Sequence, residues 1–542
     1  MKTKIGIIGS GSAAFAAAIY AADHGAEVFI IEKGTIGGTC VNVGCVPSKI
    51  FIRSAQLVYD HTNNNFEGLS KSPLKIDRGA LLLQQQLRVE ELRIAKYQKM
   101  LKHYDNITYI EGFASFEDKN TLLIETLDST ITSLVVDKVL IATGSSPKFN
   151  ISGLEDTPFW TSTEALETPI LPKHLIVIGA SVVAIELAQA FLRLGSEVTM
   201  LARSTLLSGE DPYIGESLTK ILQEEGMEIL DHAQINNVIF DDKTGFSVYP
   251  QNYDVVKGDK LLVAIGRNAN TSKLGLEKIG VKTDLSGQII IDEHMHTNIE
   301  NIYAAGDCTI HPKYVYIAAA GGTRAAANML GIPVKIDLSV VPRVVFSDPQ
   351  VATVGLTEED ALELGLSVVS RTLSMTNVPR SLANFDTRGF IKLVADSETG
   401  KLVGAQILCP EASEVVQTAV LAISNGMTVK SLSSQFFPYL SMVEGIKLCA
   451  QTFSKDVNKL SCCADALEFD EKEFKEQKES CCSKNVQDSS SNLNTTETTP
   501  VDNNSWSSWL GIGITGVVVG LVGLALYEYT DYFDFSGGGD EL

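Results

Sequence analysis

Cys40 and Cys45 lie five residues apart in the stretch Thr39–Lys49, where a loop runs into a helix that continues through Ala55 and Tyr59. At this spacing the two sulfurs can reach each other and form a disulfide. In the reduced state, a thiol at a helix N-terminus has a lowered pKa and reacts as the thiolate. The pair is therefore predicted to be a redox centre rather than two unconnected buried thiols.

Two further pairs of cysteines are adjacent in sequence, Cys462–Cys463 and Cys481–Cys482. Adjacent thiolates are strained as a disulfide but suit a soft, thiophilic metal ion. The chain has nine cysteines, and its start, Met1–Lys4 followed by an apolar strand, predicts no secretory leader. The cysteines therefore indicate redox or soft-metal chemistry in a reducing compartment. Cys481–Cys482 could collect metal, carry a palmitoyl group or be plain surface thiols.

The elements that must position the first cysteine pair begin at the amino terminus. The apolar strand Ile5–Ile8 runs into a glycine-rich turn, an alanine-rich helix and a second strand that ends at Glu32. This is the dinucleotide-binding pattern: Gly9 permits the tight turn, Gly11 lets the main chain approach a diphosphate and Ala14 allows close helix packing. The helix N-terminus stabilises the phosphate charge, and Glu32 is placed to accept hydrogen bonds from a ribose diol.

A second unit of the same kind begins at Leu175–Ile178 with Gly179, although Ser181 stands where the pattern has its middle glycine. The next strand, 197–201, is followed by Arg203 and has no carboxylate at its end. An arginine in this place favours a ribose that carries a 2′-phosphate, hence NADPH over NADH. Because the first unit opens the chain, the two sites together predict a flavin dinucleotide, FAD, and NADPH.

Later segments complete the predicted organisation. Apolar strands enter glycine turns at Thr143–Gly144 and at Gly266, and Asp307 lies where the ribityl or diphosphate region of a flavin would pass. The predicted fold class is α/β, with two Rossmann-like nucleotide-binding domains for FAD and NADPH, an α+β dimerisation domain, a linker and a single C-terminal transmembrane helix. The predicted boundaries are 1–145 and 271–335 for the two parts of the FAD-binding domain, 146–270 for the NADPH-binding domain, 336–463 for the interface domain, 464–508 for an acidic linker, 509–527 for the membrane helix and 528–542 for an acidic tail. The interface domain is expected to have strands near Val344–Phe346 and Lys401–Leu408 and helices near Glu411–Asn425 and Met442–Phe453.

Composition and charge exclude other classes of protein. Hydrophobic residues make up 44% of the 542 and charged residues 20%, which is typical of a globular chain with a sizeable core. The formal net charge is −22, and residues 464–542 hold 15 acidic residues against four lysines. Such a surface repels nucleic-acid phosphate, so no nucleic-acid partner is expected.

Trp509–Tyr527 is a stretch of nineteen residues without a charge, which is about 28 Å long as a helix and just enough to cross a bilayer core. Tryptophans on one side and tyrosines on the other are typical of interfacial belts, and Gly516 and Gly520 form a face suited to helix pairing. A buried docking helix is the alternative, but five glycines make a poor soluble helix. Because lysines flank only the N-terminal side, the body of the protein is expected in the cytosol, tethered to a membrane by its C-terminus.

Over residues 1–463 the chain resembles the pyridine nucleotide–disulfide oxidoreductases, relatives of glutathione reductase and dihydrolipoamide dehydrogenase. The resemblance implies that Cys40 attacks the substrate, that Cys45 makes a charge-transfer contact with the flavin and that Lys49 pairs with Glu186 beside the flavin N5. It also implies a homodimer in which each subunit completes the site of the other. The residues expected to hold FAD are Gly9, Gly11, Ala14, Glu32, Thr39, Lys49, Ala114, Thr143, Gly144 and Asp307, and those expected to hold NADPH are Gly179, Ser181, Glu186, Arg203 and Gly266.

One departure from the family pattern bears on the substrate class. Disulfide and dithiol reductases of the family use a His–Glu dyad in the interface domain as general acid and base. All eight histidines of this chain lie at or before His311, and Phe437 and Met442 stand at the dyad positions. Without such a base, thiol–disulfide interchange is slower by roughly 10²–10⁴-fold, so a dithiol reductase is disfavoured.

Three stretches resemble the branch of the family that reduces Hg(II) to volatile Hg(0): residues 38–49, 378–389 and 437–463. This resemblance implies that small thiols carry Hg(II) to Cys462 and Cys463 of the partner subunit, which pass it to Cys40 and Cys45. It also implies that Tyr439 helps at the inner site. The sequence therefore predicts a homodimeric enzyme that uses NADPH and FAD to reduce Hg(II).

Two alternatives remain open. One is a disulfide or dihydrolipoamide reductase of the same family, against which the missing histidine argues. The other is a membrane-anchored protein that sequesters Hg(II) or another thiophilic ion without turnover, which would leave two intact nucleotide sites unexplained.

Overall fold

The computed structural model describes residues 2–460. The predictions for Cys462–Cys463, for Cys481–Cys482 and for the membrane helix 509–527 lie outside the described residues. Within the described residues, no helix combines the length and apolar character needed to cross a bilayer.

A parallel sheet of five strands forms the centre of the first nucleotide unit. Its strands follow the order Ile302–Ala304, Lys138–Ile141, Lys4–Ile8, Glu27–Glu32 and Ile107–Glu111. Strands Lys4–Ile8, Lys138–Ile141 and Ile302–Ala304 are buried almost throughout, which explains why they appear in the sequence as apolar runs, whereas the edge strand Ile107–Glu111 is partly exposed. Helix Ser12–Asp23 lies against helix Val315–Met329 so closely that a Cβ on Gly322 would meet the carbonyl oxygen of Ala13 at 2.0 Å. The predicted strand–turn–helix–strand unit is confirmed.

The second nucleotide unit has a parallel sheet of four strands, in the order Glu228–Leu230, Glu197–Leu201, His174–Ile178 and Lys260–Val263. Helices Val182–Arg193 and Pro212–Glu224 pack on it. Smaller antiparallel sheets accompany the two units: Phe113–Phe116 with Thr121–Glu125 and Ile131–Val135, Ile235–Asp241 with Gly245–Pro250 and Val256–Gly258, and Ser145–Pro147 with Arg267–Ala269.

The predicted α+β segment is an antiparallel sheet of five strands with helices on it. The strand order is Arg343–Val345, Gln350–Gly355, Leu402–Cys409, Phe390–Asp396 and Val368–Ser374. The helices are Ala412–Ser424, Val429–Ser433 and Glu444–Gln451, the last of which is shorter than the predicted 442–453. The remaining helices of the described chain are Gly38–Asn42, Cys45–Asn63, Arg78–Arg93 with a π-helical turn Ile94–Gln98 and a last turn Lys99–Leu101, Ser162–Glu167, Leu276–Ile279, Glu358–Glu363 and Pro379–Ala383, with short 3₁₀ turns at Met375–Asn377 and Val457–Lys459.

The helix Cys45–Asn63, called the redox helix below, packs across helix Val182–Arg193 of the second unit. The rings of Phe51 and Phe191, both buried, lie 5.0 Å apart between centroids. This aromatic contact aligns the two helices, so that side chains near their first turns face each other.

Candidate active site

Cys45 is the first residue of the redox helix, and Cys40 lies on the short helix just before it. Both thiols are reduced, and the Cys40 thiol donates a hydrogen bond to Cys45. This bond is the main cause that lowers the pKa of Cys45 to about 7; burial opposes it, and the charge of Lys49 adds to it. The same bond, together with burial, raises the pKa of Cys40. Cys45 is therefore the sulfur that carries the negative charge near neutral pH.

Lys49 and Glu186 form the ion pair that the family resemblance implies. The Lys49 Nζ lies 2.7 Å from Oε2 of Glu186, whose side chain is only 4% exposed. The other oxygen, Oε1, accepts a hydrogen bond of 2.9 Å from the main-chain N–H of Phe346. The ring of Phe346 also lies 4.5 Å from the Lys49 ammonium, so the interface domain contacts both members of the pair.

The first glycine turn has the geometry that a dinucleotide diphosphate requires. A Cβ on Gly9, where φ is +109°, would lie 2.4 Å from the carbonyl oxygen of Ala142, and a Cβ on Gly38 would lie 2.7 Å from Cα of Gly11. Neither helix that begins here has a side-chain cap, which leaves main-chain N–H groups for phosphate oxygens. The residues present therefore fit FAD.

The other predicted FAD residues lie around the same turn. Ala14 is fully buried, Thr39 is exposed on the short helix, and Ala114 is buried in a side strand. Both carboxylate oxygens of Glu32 are engaged, Oε2 by the main chain and hydroxyl of Ser10 and Oε1 by the main-chain N–H of Gly34. Glu32 thus holds the turn as well as facing the expected ribose.

Sequence reasoning missed a relay that ends on Asp307. Ser145 Oγ donates to Asp307 Oδ2 at 2.8 Å and accepts from Arg267 Nε at 2.7 Å. Thr143 and Gly144 precede this serine, and the carbonyl of Thr143 accepts from the side chain of Asn270. The arginine next to Gly266 was the available signal, because a charged residue directly after a buried strand and a glycine turn needs a partner.

The second glycine turn repeats the geometry of the first. A Cβ on Gly179, where φ is +136°, would lie 2.4 Å from the carbonyl oxygen of Ala264, as Gly9 would from Ala142. Ser181 is exposed at the N-terminus of the helix without capping it, and Gly266 has open space where a Cβ would point. Arg203 is exposed just beyond the strand end. These positions fit a dinucleotide whose adenosine ribose reaches Arg203.

A buried ionic cluster, also missed from the sequence, fixes the far end of the redox helix. Arg193 pairs with Glu225 at 2.6 Å and with Asp348 at 2.8 Å, and its guanidinium lies 3.8 Å from the ring of Tyr59. Arg388 reaches the same two acids at 3.0 Å each. Arg193 at the end of an apolar helix was the only hint, because its partners lie far away in sequence.

The positions of the family's His–Glu dyad are apolar and built into the interface-domain core. Phe437 is half-buried against that core, and Met442 is 2% exposed with its sulfur 3.7 Å from the hydroxyl of Ser381. Tyr439, by contrast, is 62% exposed. Within residues 2–460, no group of three or more His, Cys, Asp or Glu side chains could hold a metal ion.

Comparison with protein-family models matches two parts of the chain. Residues 3–322 match the model described as pyridine nucleotide-disulphide oxidoreductase, and residues 341–450 match the dimerisation domain of the same proteins. The chain belongs to the pyridine nucleotide-disulphide oxidoreductases. FAD and NADPH are therefore its cofactors, and the dimerisation domain indicates a homodimer.

Curated relatives and solved structures agree with this assignment. The chain is 54% identical over 462 residues to a mercuric reductase of Shewanella putrefaciens, which covers 85% of this chain and 83% of the relative. It is 42% identical over 465 residues to a mercuric reductase of Streptomyces lividans, covering 85% of this chain and 98% of the relative. Among solved structures, a Cu(II) complex of the HOCl-induced flavoprotein disulfide reductase RclA from Escherichia coli is 28% identical with a TM-score of 0.76, and LpdA from Mycobacterium tuberculosis is 27% identical with a TM-score of 0.77. Each covers 84% of this chain and is itself covered completely.

Proposed function

We propose that this chain is a flavoprotein that uses NADPH to reduce Hg(II) to Hg(0). The observation that carries the proposal is the combination of a thiolate-forming cysteine pair with an interface domain that has Phe437 and Met442 at its dyad positions. A reaction that exchanges thiolate ligands on a soft metal needs no general base there, whereas reduction of an organic disulfide does. The mercuric reductases among the relatives support the same substrate.

The overall reaction balances as NADPH plus Hg(II) giving NADP⁺, H⁺ and Hg(0), a transfer of two electrons. FAD held at the first glycine turn would supply a two-electron carrier between NADPH and the metal. At neutral pH, Cys45 is a thiolate that accepts the hydrogen bond of the Cys40 thiol. Cys40 attacks a mercuric bis-thiolate complex, and the thiolate that leaves takes up the proton that Cys40 held. Cys45 then displaces the second thiolate, so that both sulfurs hold Hg(II). Lys49 and Glu186 contribute fixed charges beside these sulfurs.

We further propose that Hg(II) reaches this pair through Cys462 and Cys463 of the partner subunit, after transport on small thiols. Family membership supports the two-subunit site. The exposed aromatic side chains of Phe436 (93%) and Tyr439 (62%) also support it, because side chains of this size on an interface domain are suited to contact a partner. In this proposal Tyr439 lies at the inner site of the partner.

We also propose that Trp509–Tyr527 anchors the protein to a membrane with the catalytic body in the cytosol, and that Cys481–Cys482 collects Hg(II). The support is the sequence itself: nineteen residues without a charge, flanking aromatics and lysines on one side only. Extraction of the full-length chain with membranes, and its release to the soluble fraction on deletion of 509–542, tests the anchor. A full-length chain that stays soluble would refute it.

The enzymatic proposal is tested with the purified FAD holoenzyme and excess low-molecular-weight thiol. HgCl₂ is expected to accelerate NADPH oxidation with Hg(0) trapped from the headspace, whereas lipoamide and oxidised glutathione are not. Cys40→Ala should abolish turnover. Cys409→Ala is the matched control, because that thiol is buried in the interface-domain core and should not affect turnover.

The rival functions give different results in the same assay. Turnover of lipoamide or glutathione disulfide would identify a disulfide reductase and refute the substrate assignment. Tight Hg(II) binding without NADPH oxidation would identify a sequestering protein.

A further inference from the structure

Lys49 lies at a boundary between two environments. On one side its ammonium pairs with the buried carboxylate of Glu186 at 2.7 Å. On the other side Lys49 lines a cavity of about 920 Å³ between the redox helix and the interface domain, and its side chain is 36% exposed. A four-carbon stem lets a lysine ammonium reach partners in either direction.

The cavity offers the ammonium a solvent-exposed alternative to the ion pair. Two of the carboxylates that line it, Asp348 and Asp386, are engaged by Arg388. A third, Asp60, lies eleven residues further along the redox helix, about three turns away and beyond the reach of a lysine side chain. Exposure to solvent is therefore what competes with Glu186 for the Lys49 ammonium.

Phe346 is the residue that favours the Glu186 side of Lys49 over the cavity side. Its ring lies 4.5 Å from the Lys49 ammonium and also lines the cavity, so it stands on the cavity side of the pair. Its main-chain N–H holds Oε1 of Glu186 at 2.9 Å, which leaves Oε2 directed to Lys49. A cation over an aromatic face is attracted to it, so the ring favours the position that Lys49 occupies.

We propose that Phe346 is a positioning residue of the redox site, which keeps the Lys49 ammonium on Glu186 and out of the solvent of the cavity. Through Phe346, the residue that follows its strand Arg343–Val345, the interface domain then holds the charge that the family resemblance puts beside the flavin. The inference rests on the proposed function only through the FAD site, which family membership gives, and not through Hg(II).

The test uses Phe346→Leu in the FAD holoenzyme, since leucine removes the ring but keeps the main-chain N–H to Glu186. Two readouts are independent of Hg(II): the reduction potential of the bound flavin and the limiting rate of its bleaching by NADPH. The potential should fall, because a displaced ammonium no longer stabilises the reduced, anionic flavin. The limiting rate should fall several-fold, while the NADPH concentration at half-maximal rate stays unchanged.

Three comparisons make the result specific. Phe346→Tyr retains the aromatic face and should restore both readouts, and Phe66→Leu, which lines the same cavity away from Lys49, should leave both unchanged. In a Lys49→Met background, Phe346→Leu should add no further change, because there is no ammonium left to position. If Phe346→Leu loses FAD, Phe346→Met removes the ring with less change in shape and serves the same comparison.

Equal potentials and bleaching rates in Phe346→Leu and the wild type would overturn the proposal. Additive effects of Phe346→Leu and Lys49→Met would overturn it as well, because the ring would then act independently of the lysine. Failure of Hg(II) turnover with both flavin readouts shifted as expected would refute the proposed substrate and leave this inference standing.

Discussion

Arg267 donates two hydrogen bonds to Ser145, one to its Oγ at 2.7 Å and one to its carbonyl oxygen at 2.6 Å. The same Oγ donates to Asp307, so a guanidinium from the nicotinamide unit orients a carboxylate of the flavin unit through one hydroxyl. The antiparallel pairing of strands Ser145–Pro147 and Arg267–Ala269 sets Arg267 opposite Pro147, two residues from Ser145, so that the guanidinium reaches back to the serine. The two nucleotide sites are joined at this point.

Removal of the relay should weaken FAD binding. Ser145→Ala leaves Asp307 without its donor, and a hydrogen bond to a charged group is worth about 1.5–3 kcal/mol, so the FAD dissociation constant should rise about tenfold or more. Fluorescence titration of the apoprotein with FAD measures this constant. Ser146→Ala is the control, because that hydroxyl is exposed and bonds only to Asn270. An unchanged constant in Ser145→Ala would show that Asp307 needs no orientation.

The charges beside Cys45 should move its pKa in opposite directions. The Lys49 ammonium lowers this pKa and the Glu186 carboxylate raises it, so Lys49→Met should shift it above the wild-type value of about 7 and Glu186→Gln should shift it below. Since the thiolate reacts and the thiol does not, the acid side of the pH–rate profile should move in the same directions. Alkylation of the reduced protein as a function of pH, with Cys45 followed by peptide mass spectrometry, gives the values. A shift of the same sign in both variants would contradict the assigned charges.

Asp348→Asn should destabilise the protein. The variant leaves Arg193 and Arg388 short of a buried partner, and breaking a buried ion pair costs about 3–5 kcal/mol. Burial opposes ionisation of Asp348, but the two arginines outweigh it and lower its pKa. The stabilisation by Asp348 is therefore fully present above the pKa that this carboxyl has in the unfolded chain, and it is lost as the pH falls through the lower pKa of the folded state. The free energies of unfolding of the variant and the wild type should therefore converge in acid. Urea unfolding across a pH series measures the difference, and Glu155→Gln, an exposed change, should have no effect.

Alanine substitutions in the two glycine turns should each affect the binding of a different cofactor. Gly9→Ala and Gly179→Ala each place a Cβ about 2.4 Å from a carbonyl oxygen, which the main chain must move to relieve. Gly9→Ala should lose FAD, whereas Gly179→Ala should keep FAD and its visible spectrum but bind NADPH at least tenfold more weakly. Gly68→Ala, where a Cβ meets nothing within 4 Å, is the neutral control. Loss of FAD in Gly179→Ala would show that the turns are not independent.

Patterns of short range could be found from the sequence. The glycine turns, the cysteine spacing and the strand that ends at Glu32 each involve neighbours within about thirty residues, and the chemistry of each follows from local geometry. The replacement of the dyad by Phe437 and Met442 was recognised through the family resemblance, which gives the positions where the dyad is expected. The fold of both nucleotide units and of the dimerisation domain follows from such patterns.

Only the tertiary structure decided which distant residues meet. The partners Lys49 and Glu186 are 137 residues apart and were paired from the sequence only through a family resemblance, and Ser145 and Asp307 are 162 apart. Arg193 and Asp348, 155 residues apart, gave no sequence signal of their contact. In the sequence Phe346 is an ordinary apolar residue at the end of a predicted strand, and only the folded chain brings its ring over Lys49 of the redox helix. The sequence states which charged and aromatic side chains the chain contains. The distances between them depend on how the sheets of the three domains pack together. Because the attraction between charges weakens with distance, only this packing decides which carboxylate or ring holds a given cation.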